Sequence, residues 1–365
     1  MEKPEVVQTN TRLNREEIRT GEAALRSKPT RFNIDLTGLC NLKCLFCHQK
    51  SGGYQYKPLD LSYLSAYESF TAVCEKIIDC SFGEPLTHPN FLHIAARFAG
   101  NGQEFGFSTN GLLLTPKLQE FLLPYGKQLT INFSVNAARE DTYFKLTGRR
   151  LAPLLENIRS YTNEFRKRIP DVVPPVEASF IVMKLNCGEV LDFLKHSRSL
   201  GVPKVNLRHL FEVASDVPPR NDFGYCFDYK QEVLPLQEYR RIGIAAKELS
   251  RTLGLELVIH WETGCSIIGR YSEPGIEIPC LFPWKFLFVQ GHTQNVYACC
   301  YASAAVGTVA QHSLEETWNG PVLLEMRESL ARGEVPRFCL MHGSACPLVL
   351  AQKQEITDSI SREQS

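Results

Sequence analysis

The sequence predicts an α/β fold in which short parallel strands alternate with amphipathic helices. Between residues 31 and 260, apolar strand patterns recur, and a helical pattern separates most neighbouring strands. Strands joined by helices of this length pair in parallel. Six or seven such units fit a barrel or partial barrel as well as a doubly wound sheet, and periodicity does not distinguish these.

The elements follow in chain order. The predicted strands are Phe32–Leu36, Lys76–Ser81, Glu104–Ser108, Leu129–Val135, Val176–Met183, Val205–Leu210 and a weaker Leu255–His260. The predicted helices are Leu61–Val73, Phe91–Ala99, Pro116–Leu123, Ala152–Arg166, Val190–Leu200 and Leu236–Leu253. After Gly264 the chain is rich in cysteine, with short strands at Phe286–Val289 and Asn295–Ala298 and one helix over Leu314–Ala331.

These patterns divide the chain into four segments. We predict an N-terminal extension over residues 1–30, an α/β core over 31–260, a small cysteine-rich α+β domain over 261–351 and a polar tail over 352–365. The small domain has too thin a core to fold without help, which bound metal would supply.

Charge and hydropathy exclude several classes of partner. Forty basic and forty acidic residues balance, so nothing indicates a nucleic acid or an anionic membrane surface. No apolar run approaches the roughly 18 residues of a membrane span. The N-terminus is polar and has no apolar signal core, so we expect a cytoplasmic protein.

The chain has thirteen cysteines, three of which form the motif Cys40-Asn-Leu-Lys-Cys44-Leu-Phe-Cys47 directly after a predicted strand. Three thiolates in one loop can converge on a metal centre. A cubane iron–sulfur cluster has four ligand positions, so three cysteines leave one iron open for chemistry. The alternatives are a zinc site with a distant fourth ligand, or three reduced cysteines.

Polar tetrapeptides follow three later strands. They are Phe82-Gly83-Glu84-Pro85, Ser108-Thr109-Asn110-Gly111 and Ser134-Val135-Asn136-Ala137. The carboxyl ends of successive parallel strands are where α/β folds build their sites. Each tetrapeptide alone is more typical of a turn, but their order behind the cysteine motif indicates one shared site.

In these motifs the chain resembles the radical S-adenosylmethionine (SAM) superfamily, over about Arg31 to Leu210. The resemblance implies a partial (β/α)6 TIM-like barrel. It also implies that Cys40, Cys44 and Cys47 bind three irons of a [4Fe–4S] cluster, while the amino and carboxylate groups of SAM chelate the fourth. An electron from a flavodoxin- or ferredoxin-type donor would then cleave SAM to a 5′-deoxyadenosyl radical.

The resemblance also implies roles for the polar motifs. Phe46 would pack near the adenine, and Gly83 and Glu84 would lie against the methionine amino group. The residues near the ribose or the methionine end would be Ser108, Asn110, Ser134 and Asn136. Phe82 stands where the family usually has a glycine.

Two later residues, Asn186 and Glu189, match the family's subgroup with C-terminal clusters. For both of them a structural role and a ligand role stay open.

The C-terminal cysteines resemble a SPASM/twitch extension. Six cysteines are too few for two fully ligated clusters, so we predict one auxiliary [4Fe–4S] cluster. The predicted ligands are Cys280, Cys299, Cys339 and Cys346. Cys300 could replace Cys299, and Cys265 is a spare cysteine.

The extension departs from the family pattern in two places. Six residues separate Cys339 from Cys346, where the family usually has two, and the spacing from Gly291 to Cys299 is also longer. His342 lies between the last two cysteines and is read as an exposed loop histidine rather than a ligand. Structural zinc on four of the cysteines is the alternative for the whole segment.

These features predict a radical SAM oxidoreductase that oxidises or epimerises a small polar natural-product intermediate, sugar- or cyclitol-like. Arg149, Arg208 and His209 are candidate anchors for its polar groups. Cys40 comes too early to leave room for an N-terminal peptide-recognition domain, which disfavours peptide substrates. The alternatives are a peptide- or protein-modifying enzyme similar to sulfatase maturases, and a zinc-stabilised binding module without redox chemistry.

Overall fold

The computed structural model describes residues 3–47, 49, 57–100, 102–210, 218–262, 274–343, 346–352 and 354. Among the helices of these residues, none is both long enough and apolar enough to cross a membrane.

The elements have the following bounds. The helices are α1 Glu5–Thr20, α2 Leu64–Thr71, α3 Phe91–Gly100, α4 Pro116–Leu122, α5 Glu140–Thr147, α6 Ala152–Arg168, α7 Val190–Ser199, α8 Tyr229–Glu232, α9 Leu236–Leu253, α10 Phe282–Lys285, α11 Leu314–Trp318, α12 Pro321–Ala331 and α13 Arg337–His342. The strands are β1 Arg31–Asp35, β2 Lys76–Asp79, β3 Glu104–Thr109, β4 Leu129–Ser134, β5 Val176–Val182, β6 Lys204–His209, β7 Arg220–Asp222, β8 Tyr225–Phe227, β9 Glu256–Ile259, β10 Phe286–Gln290, β11 Asn295–Tyr297 and β12 Gly307–Thr308. Short 3-10 helices span Leu61–Tyr63, Pro85–Thr87, Leu123–Tyr125 and Cys187–Glu189.

One sheet of ten strands runs through the described chain, in the order β12-β11-β10-β1-β2-β3-β4-β5-β6-β9. The strands from β1 to β9 in this order pair in parallel, and the intervening helices return the chain to the same end of the sheet. Strand order therefore follows chain order, as in a partial barrel. The predicted α/β fold with parallel pairing is confirmed, and all seven predicted strands are present.

Residues alternate between the two faces of the sheet. In β4, Leu129, Ile131 and Phe133 are fully buried in the apolar core. The residues between them, Thr130 and Asn132, are half-buried and lie on the opposite, concave face. This concave face is polar, and it leads to the carboxyl ends of the strands, where the predicted site motifs lie.

Several elements differ from the sequence predictions, the short helices α8, α10 and α13 and the strands β7, β8 and β12 among them. Helix α1 lies in a segment predicted only as an extension, and α5 was not predicted. The predicted helix Leu314–Ala331 is two helices, α11 and α12, which break at Asn319 and Gly320. Pro321 causes the break, because it has no N–H to donate and disfavours helical geometry in the preceding residue.

The C-terminal segment extends the sheet of the α/β core. Strand β10 pairs in parallel with β1 from Phe286 to Gln290, and β11 pairs antiparallel with β10. The N-terminal segment covers this junction, because Trp284 Nε1 donates to the Glu22 carbonyl at 2.7 Å and Trp318 Nε1 to the Ser27 carbonyl at 2.8 Å. The boundary predicted near residue 260 does not interrupt the sheet.

Candidate active site

A cavity of about 280 Å³ opens at the carboxyl ends of the first strands. Every residue predicted from the first cysteine motif and the three polar tetrapeptides lines it. They are Cys40, Cys44, Phe46, Cys47, Gly83, Glu84, Ser108, Asn110, Ser134 and Asn136. Their convergence follows from the parallel sheet, which brings the ends of successive strands to one edge.

The loop that carries the three cysteines is fixed from several sides. The Leu45 N–H donates to the Leu146 carbonyl at 2.9 Å, and Gln49 Nε2 donates to the Gly38 carbonyl at 2.9 Å. Leu45 and Phe46 are buried in a small apolar cluster beside the cavity. Cys40 lies at the rim of the cavity, and partial burial of its thiol raises its pKa to about 11.

Gly83 packs directly on the cysteine loop. A Cβ atom at this position would lie 2.2 Å from the Leu39 carbonyl oxygen and 2.6 Å from that of Thr37, so only glycine fits. The Gly83 N–H donates to the Thr37 carbonyl at 3.1 Å, and the Glu84 N–H to the Leu39 carbonyl at 2.7 Å. The second motif is therefore bonded to the first through backbone hydrogen bonds.

Glu84 is a buried carboxylate whose two oxygens accept hydrogen bonds from the protein. Oε1 accepts from Thr109 Oγ1 at 2.7 Å and from the Leu86 N–H at 3.1 Å, and Oε2 accepts from the Asn110 N–H at 2.7 Å. Burial outweighs these bonds and raises the pKa of Glu84 to about 7. Glu84 thereby joins the end of β2 to the loop after β3.

The polar side chains of the third motif are also ordered by the protein. Asn110 Nδ2 donates to Asn41 Oδ1 in the cysteine loop at 2.8 Å. Ser108 Oγ accepts from Asn132 Nδ2 at 3.0 Å and faces the open cavity. Contact of these two side chains, and of Ser134, with the ribose or methionine end of SAM stays a prediction.

Asn136 has a left-handed backbone with φ of 58°, a conformation that asparagine tolerates. Its Oδ1 accepts from the Ile181 N–H at 2.8 Å, and its carbonyl accepts from Asn186 Nδ2 at 2.9 Å. Asn186 is fully buried and also bonds the backbone of β5. These bonds give Asn186 a structural role.

Glu189 is fully buried as well. Its Oε2 accepts from the Ala138 N–H at 2.7 Å, and its Oε1 accepts from Thr142 Oγ1 at 2.5 Å and pairs with Arg139. It therefore holds the start of α5 against the end of β4, which is also a structural role.

Sequence reasoning missed five other side chains of the cavity. Tyr143 and Thr147 come from α5, Ile181 from β5, Ser81 follows β2, and Gln49 follows the cysteine motif. The Tyr143 hydroxyl is buried beside the side chain of Thr147. The spacing of Tyr143 and Thr147, four residues apart on one helix face, was the available signal.

The four cysteines predicted as auxiliary ligands lie together. Burial, together with the neighbouring thiols of Cys299 and Cys346, raises the pKa of Cys280 to about 12. Burial also raises the pKa of Cys339, which is in electrostatic contact with the same three cysteines. Since Cys299 is likewise in contact with Cys346, all six pairs of the set are neighbours.

The remaining C-terminal candidates differ from these four. Cys300 is exposed and in electrostatic contact with Cys80 and Cys280. His342 is half-buried at the end of α13, with its ring 4.9 Å from the Phe338 ring. It therefore lies in a helix and not in an exposed loop. Cys265 lies outside the described residues.

Both cysteine groups have donor chemistry that suits iron–sulfur clusters. Among the described residues, no three His, Cys, Asp or Glu side chains are arranged to hold a single metal ion. A cluster requires a wider arrangement, because each cysteine binds a different iron. The soft thiols, their convergence and the loop that opens onto the cavity fit the group that the sequence implies.

A second cavity, of about 390 Å³, occupies the concave face of the sheet. It shares Ser108 with the first cavity, so the two meet there. Its polar lining comprises Arg31, Lys76, Ser108, Thr130, Asn132, Glu177, Lys204, Asn206 and Arg208. Of the three predicted anchors, Arg208 lines this cavity, whereas Arg149 and His209 line neither cavity.

Comparisons with known sequences agree with this geometry. Residues 34–176 match the family described as "Radical SAM superfamily". The chain is 24% identical over 332 residues to the AdoMet-dependent heme synthase of Methanosarcina barkeri, covering 84% of this chain and 86% of that protein. It is also 24% identical over 297 residues to the tungsten-containing aldehyde ferredoxin oxidoreductase cofactor-modifying protein of Pyrococcus furiosus, covering 78% and 79%.

Solved structures share the fold. Streptococcus suis SuiB bound to S-adenosylmethionine superposes with a TM-score of 0.64 at 15% identity, covering 88% of this chain and 72% of that one. The structure of anSMEcpe with bound AdoMet gives a TM-score of 0.57 at 14% identity, covering 80% of each chain. Residues 34–176 therefore match the radical SAM superfamily, and the described chain shares the fold of these two solved structures.

Proposed function

We propose that this chain holds a [4Fe–4S] cluster on Cys40, Cys44 and Cys47 and cleaves SAM reductively beside it. The observation that carries this proposal is the 280 Å³ cavity, which joins the three cysteines to the polar ends of β2, β3 and β4. When bound, the cluster supplies one electron to SAM, which breaks into methionine and a 5′-deoxyadenosyl radical that takes a hydrogen atom from the substrate.

The chain's own residues shape the site for this reaction. The backbone bonds between Gly83, Glu84 and the cysteine loop fix the cavity wall before SAM arrives. Glu84 then holds Asn110 through the Asn110 backbone N–H. The Ser108 and Ser134 side chains line the cavity nearby. Such preorganisation lowers the cost of binding, because these groups do not reorder when SAM enters.

The second cavity is the proposed substrate site. It meets the SAM cavity at Ser108, so a substrate there lies next to the SAM cavity. Its lining is dominated by amides, hydroxyls and charged groups, several of which bond one another. Asn206 Nδ2 donates to Glu177 Oε2 at 2.7 Å, and Lys204 pairs with Glu177 at 3.2 Å.

This lining supports a small, polar substrate of the sugar or cyclitol class. A volume of about 390 Å³ is within the range of small-molecule sites. Hydroxyl-rich ligands need several donors and acceptors at fixed positions, which Thr130, Asn132 and Asn206 supply. Arg208 adds a cation for an anionic substituent.

We further propose that Cys280, Cys299, Cys339 and Cys346 bind one auxiliary [4Fe–4S] cluster in a SPASM/twitch-like arrangement. The mutual contacts of these four thiols support it. Loss of a hydrogen atom, an electron and a proton from the substrate amounts to dehydrogenation, and an auxiliary cluster is a suitable acceptor for that electron. Oxidation is therefore the proposed outcome, and epimerisation would need a hydrogen-atom donor instead.

Metal analysis of anaerobically reconstituted protein tests the two cluster sites. We expect about eight irons per chain, about four after replacement of Cys40, Cys44 and Cys47 by alanine, and about four after Cys280→Ala with Cys339→Ala. Absence of iron from the wild-type protein would refute the proposed function. Zinc retained at the C-terminal cysteines would refute the auxiliary cluster alone.

Formation of 5′-deoxyadenosine tests the substrate class. Phosphorylated and free sugars and cyclitols should raise the rate at which 5′-deoxyadenosine forms. When these compounds carry deuterium on carbon, the deuterium should appear in the 5′-deoxyadenosine. Stimulation by cysteine- or serine-containing peptides, with none from the small polar compounds, would replace the proposed substrate class by a peptide.

A further inference from the structure

The short hairpin of β7 and β8 lies over the loop that carries the three cysteines. Phe223 at its turn packs on Gly148, where a Cβ atom would lie 2.3 Å from the Phe223 ring. The Phe223 ring also meets Phe144 edge-on at 6.3 Å. After the hairpin, Phe227 and Tyr229 pack in the same apolar cluster as Leu45 and Phe46. The hairpin is therefore held in place above the cysteine loop.

Arg220, the first residue of this hairpin, binds the cysteine loop directly. Its Nη1 donates to the Leu45 carbonyl at 3.1 Å and to the Cys47 carbonyl at 3.1 Å. Its other terminal nitrogen, Nη2, is buried and has no hydrogen-bond partner among the residues that the structure describes. A buried N–H without an acceptor is costly, which indicates that a group outside this set satisfies it.

The guanidinium also lies near the cysteine thiols. The Tyr229 hydroxyl is in electrostatic contact with Arg220, Cys47 and Cys44 at once, which places these groups in one neighbourhood. Arg220 therefore brings a fixed positive charge to the cluster loop. Hydrogen bonds to the sulfurs and nearby charge are the factors by which a protein sets the reduction potential of an iron–sulfur cluster.

We propose that Arg220 is a positioning residue that donates from Nη2 to a sulfur of the cluster on Cys40, Cys44 and Cys47 and raises its reduction potential. Reduction adds one negative charge to the cluster, and the adjacent guanidinium stabilises that charge. The inference rests on the cluster site proposed above, and it assigns no chemical step to Arg220.

Redox titration of the reconstituted full-length protein, followed by electron paramagnetic resonance, tests this inference. The signal that changes when SAM is added identifies the cluster in question. Arg220→Gln removes the charge, so we expect the equilibrium constant for reduction to fall about tenfold, which is 59 mV for one electron, with iron content unchanged. Arg220→Lys keeps the charge and should stay within about twofold of wild type.

Lys230→Gln is the matched control, because it removes one positive charge from the exposed side of the following helix α8. It should leave the potential unchanged. A wild-type potential in Arg220→Gln, or an equal fall in Arg220→Lys, would overturn the inference. A wild-type protein without any cluster would instead refute the proposed function itself.

Discussion

Glu84 is a residue of the site whose protonation affects folding below neutral pH. Its folded pKa is about 7 because of burial, against an ordinary value of 4.5. The folded protein therefore keeps a proton that the unfolded chain releases between these two values. In this range the folded state binds more protons than the unfolded state. The contribution of this carboxyl to the free energy of unfolding therefore falls as the pH increases from about 4.5 to 7.

Glu84→Gln should remove this pH dependence. In wild-type protein the Glu84 contribution to the unfolding free energy should fall by about 2 kcal/mol between pH 5 and pH 8. The variant has no titrating carboxyl at this position. The difference in unfolding free energy between wild type and variant should therefore fall by the same amount between pH 5 and pH 8. Urea unfolding of the metal-free protein at the two pH values measures it. Parallel behaviour of the two proteins would contradict the raised pKa.

Two adjacent cysteines allow a second comparison at the residue scale. Cys299 is in electrostatic contact with the other three proposed auxiliary ligands and is half-buried, whereas Cys300 is exposed. Both residues follow the end of β11 at Tyr297, and the greater burial of Cys299 favours it as the ligand.

Cys299→Ser should therefore lower the iron content of reconstituted protein from about eight to about four per chain, and Cys300→Ser should leave it near eight. The two variants differ by one position and serve as each other's control. Loss of iron in Cys300→Ser with retention in Cys299→Ser would reverse the ligand assignment.

Among the elements, α1 holds the C-terminal segment to the barrel. Asn14 on its buried face donates from Nδ2 to the Trp284 carbonyl at 2.7 Å and to Ser27 Oγ at 3.0 Å. Asn14→Ala should lower the unfolding free energy by about 1–3 kcal/mol, because it leaves buried groups without a partner. Glu16→Ala, on the exposed face, should change it by less than about 0.5 kcal/mol. Urea unfolding measures both changes in free energy. Equal effects of the two substitutions would contradict the role of α1 in holding the C-terminal segment to the barrel.

Helix α1 also shows what sequence patterns do not reveal. Its buried face includes Asn10, Thr11, Asn14 and Glu17, so apolar residues do not recur at helical spacing. The strands of the sheet were predictable because their apolar residues alternate or run together, and the short α5, with no side-chain cap at its start, was not.

The site likewise contains residues that were predictable from the sequence and residues that were not. The cysteine loop and the polar tetrapeptides were predictable, because each is local in sequence and follows a strand. Arg220 was not, since it lies 175 residues from Leu45, whose carbonyl it binds. Nothing in its neighbourhood in sequence marks it, and only the path of the hairpin across the cysteine loop brings it there.

At the scale of the whole molecule, the sheet joins segments that the sequence divides. Strand β1 is an inner strand, with β2 on one side and β10 on the other. Without residues after 260, its backbone groups along Arg31–Asp35 would form an open edge, which is prone to pair with other chains. The core would also lose the large buried side chains of Trp284 and Trp318.

A chain that ends at residue 260 should therefore show no cooperative thermal transition, whereas the full chain should unfold in one. The three tryptophans, Trp261, Trp284 and Trp318, report on the end of the core and on the C-terminal segment, and near-ultraviolet circular dichroism reports on the barrel as a whole. In the full chain the fluorescence and dichroism transitions should coincide, because β1 and β10 cannot separate without breaking one sheet. Two separated transitions, with a cooperative transition in the truncated chain, would instead establish two independent folding units.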